Sequence, residues 1–204
     1  MKPKFSTLVL LTLLSALILL PFAVSPVYIE FLRERYFSVL LFLEDNLYKQ
    51  ITGYIALIFV ILEMVLTARK RGRGWNFKIT IPGSMQFWRS LHIFLGVGLL
   101  SMVLIHTIGA RGLNFNAIFL WVFFGVSLSA LMGVLAEAGV VESSQKRFLT
   151  WMSSKTADGK IVYGISKGTM IKRMRDFWLN THIILVSIFF IMLGFHIFLA
   201  YYYQ

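Results

Sequence analysis

Two stretches decide how this chain reads: HIFLGVGLLSMVLIH, from His92 to His106, and HIILVSIFFIMLGFH, from His182 to His196. Each begins and ends on histidine and carries no Asp, Glu, Lys or Arg between. In both, the apolar pattern continues past the histidines towards the roughly 20 residues that cross a bilayer core of about 30 Å. Such segments read as helices, because a backbone in lipid must satisfy its own hydrogen bonds. His92, His106, His182 and His196 are the only four histidines in 204 residues. An α-helix turns about 100° and rises about 1.5 Å per residue. Residues fourteen apart therefore return to within about 40° of one direction and stand about 21 Å apart along one face.

Working outward, the whole chain has the same character. It is 58% hydrophobic and 16% aromatic, with only 14% charged residues and a mean hydropathy of +0.76. A soluble domain carries about 25% charged residues, so this composition excludes a soluble enzyme, a disordered tail or a nucleic-acid-binding domain. Apolar runs long enough to span occur five times, near residues 6–27, 50–68, 88–109, 115–139 and 177–203. The first follows Lys2 and Lys4 and ends near a small-x-small pair, Ala23 and Ser25, but Pro26 is a poor cleavage context. It is therefore expected to be a retained anchor rather than a leader. The expected class is all-α integral membrane, with five transmembrane helices and a four-helix bundle made of spans two to five.

The net charge of +11 fits basic loops on one membrane face. The N-terminus, the connection between spans two and three, and the connection between spans four and five together hold sixteen Lys and Arg. The opposite side holds four: Arg33, Arg35, Lys49 and Arg111. The positive-inside rule then puts the N-terminus in the cytoplasm and the C-terminus outside a cell (inner) membrane. Residues 27–47 mix Phe31, Leu32, Leu40 and Phe42 with Glu30, Arg33, Glu34 and Glu44; they are expected to form an amphipathic segment at the outer interface. The division expected is an anchor plus outer segment at 1–49 and a bundle at 50–204, with a cytoplasmic loop at 140–176. Within that loop, Ala157-Asp158-Gly159-Lys160 before IVYGI signals a small hairpin.

Spans three and five run in the same direction, so His92 and His182 share the cytoplasmic level and His106 and His196 the outer one. A facing imidazole pair suits the two axial positions of a haem iron. Two levels imply two non-covalent haem b groups, since the chain has no cysteine for covalent attachment. Each histidine alone could instead be a helix–helix hydrogen bond or a protonation site. Arg89, Arg175 and Lys172 at the inner end and Arg111 at the outer end are candidate partners for haem propionates, although positive-inside topology accounts for most of them. Gly96, Gly98, Gly125, Gly133 and Gly194 would let a flat ring approach, or simply let helices pack. Phe87, Trp88, Trp178 and Tyr201 to Tyr203 read as interfacial belt.

At these residues the sequence resembles the membrane diheme b-type cytochromes, whose pattern is His, thirteen residues, His on two helices of a four-helix bundle. It is similar to the haem-binding half of the cytochrome b of quinol:cytochrome c oxidoreductases and to the haem core of ferric reductases and NADPH oxidases, over about residues 50–204. The resemblance implies that His92 and His182 ligate an inner haem iron and His106 and His196 an outer one. The quinol-site signatures of the respiratory cytochromes and the flavin and nicotinamide domain of the ferric reductases have no counterpart here, and no subfamily matches.

The function expected is a transmembrane electron-transfer subunit, working with other redox subunits of a larger complex. One alternative is a self-contained quinone-linked oxidoreductase, with Glu63 inside span two as a proton shuttle; Glu63 is close enough to the cytoplasmic end to snorkel towards Arg69 or Lys70 instead. Another is a non-redox protein, such as a histidine-lined metal transporter or a structural anchor.

Overall fold

The computed structural model describes residues 4–71, 82–110, 112–145, 147–155 and 161–202. Lys2, Arg73, Lys78, Arg111, Lys146, Lys160, Tyr203 and the turn expected at 157–160 lie outside the described residues. In chain order the elements are α1 (Phe5–Ala23), α2 (Ser25–Arg35), α3 (Phe37–Glu44), α4 (Asn46–Arg71), α5 (Met85–Thr107), α6 (Phe115–Glu142), β1 (Arg147–Lys155), β2 (Ile161–Ser166) and α7 (Lys167–Tyr202). Helices α1, α4, α5, α6 and α7 are each long and apolar enough to cross a membrane. The chain is thus a multi-pass membrane protein by length and composition of its helices.

The helix ends follow from local chemistry. Pro21 lacks an N–H, and α1 stops two residues later at Ala23. Pro26 then sits in the first turn of α2, where a missing N–H costs nothing. Asp45 Oδ2 accepts from the Leu47 and Tyr48 amides at the head of α4. Ser84 accepts from Phe87 N at 3.1 Å to open α5, and Asn114 from Ala117 N at 2.9 Å to open α6. Helix α5 closes on Ile108 at φ 62, a left-handed residue that is not glycine. The Lys167 ammonium donates at 2.7 Å to the Val141 and Ser143 carbonyls at the end of α6, so α7 starts by capping its predecessor.

Helix α4 packs on α5 and α6 on α7, while α1 lies against both α5 and α6. The first span is therefore part of the core: Phe22 is buried with Leu99, Leu100, Phe123, Phe124 and Phe189. In lipid the drive for this association is close packing rather than escape from water. Two glycines show how close it is. A Cβ on Gly98 would lie 3.0 Å from the Phe59 ring, and one on Gly133 would lie 2.6 Å from the Trp178 indole. The outer faces carry Leu10, Leu13, Leu17, Ile58, Ile61, Ile184 and Ile191 exposed, as a lipid-facing surface requires. Ser25, fully buried at the turn after α1, exchanges hydrogen bonds with both backbone atoms of Ala110 and ties that turn to the end of α5.

The hairpin expected in the long loop is present: β1 pairs antiparallel with β2, from Arg147 opposite Ser166 to Lys155 opposite Ile161. The amphipathic segment at 27–47 forms α2 and α3. The fifth span differs from expectation. Helix α7 begins at Lys167 rather than near 177 and runs for 36 residues, about 54 Å at 1.5 Å per residue. Polar residues end an apolar run without ending a helix, and nothing between Lys167 and Asp176 forbids one: there is no proline, and Met170, Ile171 and Met174 continue on one side.

Candidate functional site

Helices α5 and α7 make no close backbone approach among the described residues, but Leu99 and Leu100 on α5 share a buried cluster with Phe189 on α7. Helix α4 braces α5 from behind, and α6 braces α7. His92 and His106 project from α5, His182 and His196 from α7. At one end the His106 and His196 ring centroids are 6.2 Å apart, with ring planes at 89°. Two imidazoles bonding one metal ion between them, at about 2 Å per bond, place their ring centres about 6 Å apart. At the other end His92 stands on α5 and His182 on α7. The structure brings the expected pair His106 and His196 together.

Each ring is held through Nδ1 by the helix behind it. His106 Nδ1 lies 3.0 Å from Thr52 Oγ1 on α4. His92 Nδ1 pairs with the Glu63 carboxylate, also on α4. His182 Nδ1 lies 3.1 Å from Ser129 Oγ on α6, and His196 Nδ1 lies 3.3 Å from Asn116 Oδ1, on the same helix. The partners are compatible with a proton on Nδ1. Thr52 gives its single hydroxyl proton to the Tyr48 carbonyl at 2.7 Å, so only its lone pairs face His106. Ser129 likewise donates to Val126 O at 2.8 Å. A carboxylate and an amide oxygen are acceptors already. A proton on Nδ1 of each ring, directed at these partners, would leave Nε2 free, the arrangement of metal-ligating histidines.

Glu63 corrects the sequence reading. It does not reach along α4 to Arg69. Arg69 is buried and donates to the Pro82 carbonyl at 3.0 Å and to the Gly83 carbonyl, and its guanidinium lies over Trp88 at 6.0 Å. Thr52 and Glu63 are eleven residues apart, about three helical turns, and so share the face of α4 that backs α5. The second Glu63 oxygen, Oε1, is buried without a hydrogen-bond partner among the described residues. Thr52 and Asn116 were invisible as functional residues in the sequence; the available signal was a polar side chain on an otherwise apolar span.

The remaining candidates lie apart from the four rings or beside them. Arg175 is paired with Glu137 across α6 and α7, and that carboxylate occupies the guanidinium considered for a propionate. Arg89 is exposed on α5 and acts on the same Glu137. Lys172 is exposed, and Arg111 lies outside the described residues. Trp178, expected as interfacial belt, fills the notch at Gly133 and flanks His182, their ring centroids 6.5 Å apart. Phe119 lies against His196 at 5.3 Å. Gly53 leaves room for His106: a Cβ there would be 3.1 Å from its Cε1. Gly125 makes way for Leu185, and Gly96 lies beside Glu63 Oε1.

Among the described residues no group of three or more His, Cys, Asp or Glu could hold a bare metal ion. Two imidazoles at each level suit a metal that brings its own remaining ligands, which is what an iron porphyrin does. The chemistry of the paired imidazole donors suits that group. No family model, no curated protein and no solved structure matches this chain.

Proposed function

We propose that the chain is a transmembrane electron-transfer subunit that carries electrons through two bis-histidine b haems. His92 and His182 would hold the inner group, and His106 and His196 the outer one. The observation that carries this reading is the common placement of all four imidazoles, each with Nδ1 beside a polar side chain of the neighbouring helix. Rings that merely joined helices would use either nitrogen.

When bound, each haem supplies a one-electron ferric/ferrous couple. This chain's residues do the rest. The paired helices hold the two levels about 21 Å apart along α5, given fourteen residues between His92 and His106. Thr52, Glu63, Asn116 and Ser129 keep the ring orientations and prevent Nδ1 from competing. Phe119, Phe189 and Phe123, stacked or tilted at 5.4–5.8 Å, help keep the middle of the bundle dry. A charge crossing the whole membrane field gains or loses about 2.3 kcal/mol per 100 mV, so transfer between levels is coupled to membrane potential. The excess of Lys and Arg in the N-terminus and in the connections between spans two and three and between spans four and five supports a cytoplasmic N-terminus in a cell membrane. The chain would serve other redox subunits of a larger complex.

A second reading, a quinone-linked oxidoreductase, draws on one feature. An apolar cavity of about 370 Å³ is lined by Pro21, Tyr28, Leu43, Tyr48, Leu104, Ile105 and Ile108. It opens beside the His106 end of α5 and would admit a quinone ring. A reduced-minus-oxidised absorption spectrum of the purified protein tests both readings. A b-type α band supports the proposal and its absence refutes it. A change in haem reduction on adding a quinone supports the second reading.

A further inference from the structure

One of the four ring braces is unlike the rest. His106 meets a threonine hydroxyl, His182 a serine hydroxyl and His196 an asparagine amide, all neutral. His92 meets a carboxylate, that of Glu63. Arg69 is turned away from Glu63, to the Pro82 and Gly83 carbonyls. The other Glu63 oxygen is buried and without a hydrogen-bond partner among the described residues, so its acceptor strength is directed at His92.

Resting on the reading of His92 as an axial ligand, the geometry points to Glu63 as the positioning residue that makes the inner haem the low-potential one of the pair. With Nδ1 beside the Glu63 carboxylate, a proton on Nδ1 is drawn to that carboxylate and Nε2 becomes the more basic nitrogen. A more basic ligand, backed by a carboxylate in a low-dielectric setting, favours the ferric over the ferrous state. The other three braces give no such bias. Electrons then run downhill from the inner level to the outer one.

The test is a redox titration of the haem-loaded protein, following the two b haems separately, with wild type and Glu63→Gln compared. The substitution keeps an oxygen acceptor and the side-chain volume and removes the carboxylate. The lower potential rises by a tenfold or greater change in its reduction equilibrium, about 59 mV for one electron, and the higher one stays in place. Two unchanged potentials with both haems retained overturn the inference and leave the haem reading standing. A wild-type protein that binds no haem overturns the haem reading itself. Should Glu63→Gln fail to hold haem, His196→Ala decides, since it keeps only the inner group. That group must titrate as the lower of the two wild-type potentials, and titration as the higher one overturns the inference.

Discussion

The two histidine levels are built to one plan from different chemistry. At the outer end His106 and His196 are braced by Thr52 and Asn116, and Gly53 makes room for the ring. At the inner end His92 and His182 are braced by Glu63 and Ser129, and Gly133 makes room for Trp178 beside the ring. Every brace comes from the helix behind. On the proposed reading the shared plan leaves the same nitrogen free at each ring, and the different braces set how basic it is, so that ligand identity and ligand strength become separable.

Removing a ligand breaks the comparison most severely. His196→Ala loses the outer haem and leaves most of the inner one, and His182→Ala does the reverse; haem content per chain, measured by absorption, falls from two to one in each. Equal loss from both levels in a folded protein would contradict the two-level arrangement. Overpacking comes next. Gly133→Ala puts a Cβ 2.6 Å from the Trp178 ring, and such overpacking destabilises by about 1–3 kcal/mol. Thermal unfolding falls measurably, and the inner band is disturbed before the outer. Gly53→Ala at the outer end, where the spacing is 3.1 Å, has a smaller effect and reaches the outer band. Removing a neutral brace sharpens the comparison: Thr52→Val weakens outer haem retention by about tenfold, and Ser129→Ala does the same at the inner level, both read from haem dissociation rates. The smallest effect belongs to Glu137→Gln. It breaks a partly exposed ion pair with Arg175, worth under about 1 kcal/mol, and leaves both bands where they were.

The histidines were more legible in the sequence than the side chains beside them. Histidine is rare enough in an apolar span that fourteen-residue spacing on two helices located all four rings, and the five apolar runs located the spanning helices. The hairpin signal before Ile161 was legible because a tight turn needs particular residues. Thr52 was not legible, because a threonine in a membrane helix ordinarily bonds the carbonyl four residues back, and it does so here as well. Only the packing of α4 behind α5 shows that its spare lone pairs face His106. Glu63 was misread for a related reason. One-dimensional distance put it near Arg69, whereas helix rotation turns it onto His92. The start of α7 was set ten residues late because apolarity marks where lipid ends, and hydrogen bonding marks where a helix ends.

The central claim is that the four Nε2 atoms take two irons in pairs. Low-temperature electron paramagnetic resonance of the oxidised, purified protein, with haem and protein quantified in the same sample, tests it most directly. Two low-spin ferric signals of bis-imidazole type, at two haems per chain, are the predicted result. A high-spin signal, or a folded and intact chain without haem, would contradict it.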